Sequence, residues 1–268
     1  MLVVIRGAGD IASGVALRLP RAGFRVVMTE TACPTTIRRT VCFSEAVSQG
    51  SATVEGMTAE RARDADDALA LTRAGRIAVL IDPEAACVPV LRPCALVDAI
   101  WAKRNLGTRM TDAPVVVGVG PGFRVGRDCH AAVETMRGHT LGRALYQGEA
   151  LLNTNVPGLI GGFAGERVLR APDDGVFEPL LDIGAKVRAG DVAGTVNGKP
   201  MRCTLDGVLR GLIARGVPVR AGMKCGDVDP RGEATYCYSV SDKALAVGGG
   251  VLEAILHFAG LAGWGANA

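Results

Sequence analysis

Leu2-Val3-Val4-Ile5-Arg6-Gly7-Ala8-Gly9-Asp10-Ile11-Ala12 is the stretch whose reading decides the fold. Four apolar residues form a buried strand, the glycines a tight turn, and Ser13–Leu19 the body of a helix, which is the opening of a nucleotide-binding α/β unit. The first glycine permits the turn. The second lets a pyrophosphate approach the backbone, and the small Ala12 lets the helix lie close on the strand. The helix N-terminus then faces the phosphates, so Gly7, Gly9, Asp10 and Ile11 are expected to bind a ligand. Asp10 would repel a pyrophosphate unless it caps the helix. Glu30 closes the next apolar run about 20 residues beyond the glycines, where a carboxylate accepts hydrogen bonds from ribose hydroxyls.

Outward from this motif, the apolar runs Arg25–Thr29, Ile77–Ile81 and Val115–Val119 alternate with helix-like segments, Thr58–Arg73 among them. The pattern predicts a Rossmann-like, mostly parallel sheet over residues 1–163. A second glycine turn, Gly118-Val119-Gly120-Pro121-Gly122, follows Val115–Val117. If that run is the fourth strand it lies beside the first across the reversal point of the sheet, and Gly118, Gly120 and Gly122 flank the same crevice as Gly7 and Gly9.

Past Arg170 the chain repeats itself. Asp174 through Val196 aligns without gaps on Asp206 through Val228, matching Gly175 with Gly207, Val187-Arg188-Ala189-Gly190 with Val219-Arg220-Ala221-Gly222, and Gly194 with Gly226. Two such halves can interlock their apolar faces, and residues 164–232 are expected to form a duplicated barrel-sandwich hybrid of the biotinyl and lipoyl kind. The hairpin joining the halves carries Lys199, read as a solvated surface lysine rather than a modification site. In the C-terminal segment, 233–268, helical spacing begins at Val251 after Gly248-Gly249-Gly250. That helix is expected to pack back on the α/β domain.

Composition narrows the function. Aromatic residues make up 4% of the 268 and the formal charge is +3, too little stacking surface and too little charge for nucleic acid to be the main partner. The eight cysteines form no CxxC pair, as expected of reduced thiols in the cytoplasm. No leader is read at the N-terminus, and Glu253 and His257 interrupt the apolar C-terminal stretch, so neither export nor membrane insertion is expected.

Asp128-Cys129-His130 and Glu134 are the candidate catalytic residues. If Cys129–Met136 is helical, His130 and Glu134 share a face as an acid/base pair or a histidine fixed by a carboxylate, with Cys129 as a thiol. No metal site is expected, because no second ligand pair has metal-site spacing. Arg38, in Thr35–Val41 with Arg39, could reach the phosphate or sugar of a ligand, or face solvent.

Together, Arg6–Ala12, Arg38-Arg39 with Phe43–Val47, Cys129-His130 with Glu134–His139, Gly226–Arg231, Ser241–Lys243 and Gly248–Glu253 form an ordered set covering nearly the whole chain. It resembles the YqeB-type accessory proteins of selenium-dependent molybdenum hydroxylase systems. The resemblance implies maturation of such hydroxylases, with a hydroxylase or its maturation machinery as partner and a dinucleotide, NAD or a molybdopterin dinucleotide, as the ligand suited to the crevice. It transfers no catalytic residue. Two other readings stay open: an NAD-dependent oxidoreductase, favoured by the glycine turn and Glu30 but lacking a Tyr-x-x-x-Lys pair, and a non-catalytic binding scaffold.

Overall fold

A computed structural model describes residues 1–154 and 156–261. Residues 262–268, the end of the C-terminal segment, lie outside the described residues. The chain divides into two compact units. One takes Met1–Ala32, Phe43–Asn153 and the stretch from Val240; the other takes Cys33–Cys42 and Thr154–Ser239.

The first unit runs β1 (Leu2–Arg6), α1 (Asp10–Arg21), β2 (Arg25–Glu30), α2 (Glu45–Gln49), β3 (Ser51–Val54), β4 (Met57–Ala62), α3 (Ala65–Arg73), β5 (Ile77–Ile81), α4 (Val88–Leu91), β6 (Ala95–Asp98), β7 (Val115–Val119), β8 (Ala131–Val133) and β9 (Ala144–Leu145). Its strands form one nine-stranded sheet in the order β3-β4-β5-β2-β1-β6-β7-β8-β9. Neighbours from β4 through β8 are parallel; β3 and β9 close the two edges antiparallel.

This mixed sheet corrects the Rossmann-like expectation. Helices are few, and the β6–β7 and β7–β8 connections carry no α-helix. Cys129–Met136, read as helix, instead contains β8, whose Ala131, Ala132 and Val133 are buried; sheet pairing overrides the helical preference of alanine. The Thr58–Arg73 reading divides in the same way. Thr58 lies on β4, with its hydroxyl 3.0 Å from that of Thr53, and the helix starts at Ala65, where Asp64 accepts the Asp67 N–H. The unread β6 lies between β1 and β7, so the two glycine turns do not leave adjacent strands.

Helix α5 (Asp242–Leu261) begins nine residues ahead of the Val251 start that the spacing suggested. Gly248 and Gly250 serve packing. A Cβ on Gly14 of α1 would lie 2.5 Å from the Ala244 carbonyl oxygen, and one on Gly248 would lie 2.6 Å from the Gly14 carbonyl oxygen. Gly250 meets the backbone of Gly142 in the same manner. The helix is long and apolar enough to cross a membrane by length and composition, but Ala244, Val247, Val251, Ala254 and Ile255 are buried within the unit.

The second unit contains β10 (Val168–Arg170), β11 (Gly175–Pro179), β12 (Lys186–Val187), β13 (Val192–Val196), β14 (Lys199–Arg202), β15 (Gly207–Leu212), β16 (Pro218–Val219) and β17 (Lys224–Asp229). The duplication shows in the strand starts: Gly175, Lys186 and Val192 return as Gly207, Pro218 and Lys224. The expected biotinyl-like module is not what these strands build. They form two antiparallel sheets, β10-β17-β15-β12 and β14-β13-β11-β16, each completed by a strand, β10 or β14, from outside the aligned repeat. Asp227 and Asp229 on β17 are buried and both are bridged by Arg210; Arg167 also holds Asp227 at 2.7 Å. Lys199 pairs with Asp173.

The glycine contacts of α5 predict opposite effects at adjacent positions. Gly249 faces open space, so Gly249→Ala should raise stability by about 1 kcal/mol through helix propensity. Gly248→Ala must push α5 off α1 and should lower it by about 1–3 kcal/mol. Urea denaturation of the two variants checks this.

Candidate functional site

The loops at the C-terminal ends of β1, β6 and β7 share one edge of the sheet in the first unit. Gly7 turns at φ +96° with its N–H on the Thr29 carbonyl, and a Cβ there would lie 2.9 Å from the Ala99 carbonyl oxygen. Only glycine suits that position. Ala8 donates its N–H to Glu30 Oε2 at 2.9 Å and accepts from Ser44 N–H and the Ser13 hydroxyl; the other Glu30 oxygen takes the Thr31 N–H. Glu30 therefore holds the glycine turn. Gly9, the N-cap, is extended at φ −74° with no side-chain cap, which makes Asp10 the first helical residue rather than the cap. The N–H groups of this first turn have no carbonyl partner within the helix, and Gly9, Asp10 and Ile11 are all partly exposed.

Beneath the edge lies a buried polar cluster that sequence reading missed. Arg6 and Asp98, at the ends of β1 and β6, are 3.3 Å apart, and Thr108 donates to Asp98 at 2.6 Å. Burial raises the Asp98 carboxyl, opposed by the Thr108 hydrogen bond and the Arg6 charge. Asp98 also accepts the Ile100 N–H, fixing the start of the loop that carries Trp101. Trp101 and Lys103 both have positive φ, +66° and +61°, a conformation costly for bulky residues and concentrated at functional sites.

Lys243, the second residue of α5, meets this loop with its Nζ 4.5 Å from the Trp101 ring centroid. Burial pushes its ammonium down to about 8, and the Arg137 charge pushes the same way against Asp10, Glu134 and Asp242. Arg137 makes a two-pronged pair with Asp242 at 2.8 and 3.0 Å. The sequence signal was present in Ser241-Asp242-Lys243 and in a tryptophan within a polar loop. Ser241–Lys243 belongs to the ordered motif set, and its place here follows from α5 beginning at Asp242 rather than at Val251.

The expected catalytic residues serve separate partners. Glu134 is buried, with one oxygen accepting the Thr135 and Met136 N–H groups at 2.6 Å and the other that of Leu151 at 2.8 Å. His130 accepts the Val116 N–H through Nδ1 at 2.9 Å, and burial lowers its imidazolium. Asp128 bonds Arg127, which holds its carboxyl below the usual range. Cys129 is buried, and burial pushes its thiol up to about 11. At the second glycine turn, a Cβ would strike the Phe123 ring at Gly118, Thr135 Oγ1 at 2.9 Å at Gly120, and the Arg104 backbone at 2.5 Å at Gly122. Packing accounts for these three glycines. Arg38 lies in the second unit, where its guanidinium donates to the carbonyls of Tyr236 and Ser239.

The chain is 52% identical over 255 residues to the uncharacterized protein YqeB of Escherichia coli (strain K12), over 95% of this chain and 47% of that protein. It thus spans about half the length of the curated relative it matches, and the likeness supports kinship with YqeB. No protein-family model matches. Among solved structures, a succinylglutamate desuccinylase from Silicibacter sp. TM1040 is 13% identical over 85% of this chain and 84% of its own, with a TM-score of 0.25. An aspartoacylase family protein from Mesorhizobium loti is 12% identical over 60% of each chain, also at 0.25. Scores this low do not show a shared fold.

Thiol accessibility separates a packed Cys129 from a reactive one. Cys33 is exposed, Cys94 is half-buried, and the other free cysteines are buried. Ellman's reagent at pH 8 should titrate Cys33 rapidly and leave Cys129 unmodified until denaturant is added. Fast native labelling of Cys129 would restore the reactive-thiol reading.

Proposed function

We propose that this chain holds a phosphate-bearing, dinucleotide-like ligand at the C-terminal edge of its parallel strands, as a cytoplasmic accessory factor in the maturation of molybdenum hydroxylases. The observation that carries the binding part is the Gly7-Ala8-Gly9 turn, which runs directly into α1 with an uncapped first turn. Such a turn supplies backbone N–H groups and a positive dipole end to an anion. Net charge contributes little there, since Arg137 and Lys243 are offset by Asp242 and Asp10. Recognition therefore rests on directed hydrogen bonds, which suits a specific ligand better than polyanions in general. The maturation role comes from the motif resemblance and extends the kinship with YqeB. A hydroxylase or its maturation machinery is the partner in this reading, and selenium dependence is part of the same proposal.

Isothermal titration calorimetry with CTP, NAD, NADP and molybdopterin dinucleotides tests the binding part. One of these should bind to the parent protein. Gly9→Val should abolish that binding by adding a branched side chain beside the phosphate path, while the extended backbone of Gly9 accommodates valine and the protein stays folded. No binding by any of them would remove the ligand reading.

A further inference from the structure

We infer that Trp101 is a stacking platform for the heteroaromatic ring of a nucleotide, with one face of its indole held by Lys243 and the other turned to the ligand. The inference rests on the binding site proposed above and names what its ligand carries beyond the phosphate. The recognised group is a flat, neutral heterocycle such as a nucleic-acid base.

The place follows from the sheet. The chain passes from β1 to β2 on one side of β1 and later returns to β6 on its other side. The loops that leave β1 and β6 therefore diverge and open a crevice, the usual ligand position at the carboxyl ends of parallel strands. The first of these loops is the Gly7–Gly9 turn. The second carries Trp101 and lies against both glycine turns of the unit: a Cβ on Gly7 would lie 2.9 Å from the Ala99 carbonyl oxygen and 3.1 Å from the Ile100 Cα, and one on Gly122 would lie 2.5 Å from the Arg104 Cα. Consecutive Cα atoms are about 3.8 Å apart, which brings the Trp101 backbone within about 7 Å of the Gly7 turn. A phosphate on the N–H groups of α1 and a base on Trp101 thus fall within the span of one nucleotide.

The ring is held in place before a ligand arrives. Ala99 N–H bonds the Arg6 carbonyl and Ile100 N–H the Asp98 carboxylate, and the positive φ values of Trp101 and Lys103 follow directly. Such conformations persist where the surrounding structure dictates them. Lys243 reaches across from α5 with its ammonium 4.5 Å from the ring centroid, a cation–π contact that anchors one indole face. Trp101 is half-buried, and no aromatic ring among the described residues stacks on it. An anchored aromatic ring loses little freedom on binding. The cation behind it draws π density from the far face, which favours a neutral ring over a cationic one.

The tryptophans are Trp101 and Trp264, so the full chain carrying Trp264→Phe reports Trp101 alone in fluorescence. ATP and CTP serve as probes because every base offers a π face, with adenosine and tripolyphosphate standing for the two halves of the ligand. ATP or CTP should quench Trp101 and saturate at the concentration at which calorimetry shows binding. Trp101→Leu should weaken that binding about ten-fold or more while leaving tripolyphosphate binding unchanged. Trp101→Phe, which keeps an aromatic face, should stay within about three-fold of the parent. Quenching by adenosine at the same concentration as by ATP upholds the stacking and counts against the phosphate site. Tripolyphosphate binding as tight as that of the nucleotides, with no quenching by either, leaves the phosphate site standing and overturns the stacking. Absence of quenching by ATP, CTP and adenosine overturns it as well, and so does a Trp101→Leu protein that binds the nucleotides as tightly as the parent.

Discussion

Helices α1 and α5 approach so closely that Gly14 and Gly248 have no room for a side chain, and the edge of the sheet is organised by that approach. Backbone contact maximises dispersion between the helices and fixes the start of α5 relative to the start of α1. Lys243 and Asp242 enter the site for this reason, although they are more than 230 residues from the Gly7–Gly9 turn. A bulkier pair of helices would carry the same residues several ångströms away. Gly142 and Gly250 repeat the arrangement on the other side of α5.

Around that edge, buried and half-buried carboxylates act as braces. Glu30 ties the β1–α1 turn to the end of β2, Glu134 gathers three backbone N–H groups from two loops, and Asp98 fastens the loop bearing Trp101. Each meets the requirement that a buried charge be hydrogen-bonded or paired. Acidic residues that read as chemistry in the sequence therefore hold loops in place. Burial and the Arg137 charge lower the Lys243 ammonium, and its Nζ rests over the Trp101 ring.

In the second unit the duplicated sequence returns its strands in the same order, and the first strand of each half pairs with the second strand of the other. Neither half is complete alone. The set of buried Arg167, Asp227 and Asp229 with the half-buried Arg210 is not part of the repeat, since Asp227 and Asp229 correspond to Thr195 and Asn197 in the first half. Removing one member would leave an uncompensated buried charge, which costs far more than the pair itself contributes.

The sequence by itself determined the β1–turn–α1 unit, the duplication and the strands β1, β2, β5 and β7, because glycine turns, short apolar runs and a gapless repeat are local signals. Tertiary structure alone decided the rest. Ala131–Val133 is a strand because neighbours on a sheet outweigh alanine's helical preference. The unread strand β6 separates two glycine turns that looked adjacent, and the antiparallel edges make the sheet mixed. Gly248-Gly249-Gly250 is helical although glycine disfavours helix, since burial against α1 and Gly142 repays the lost propensity. Lys243 lies at this edge on the same account, since Trp101, Arg137 and Asp10 come near it only through the fold.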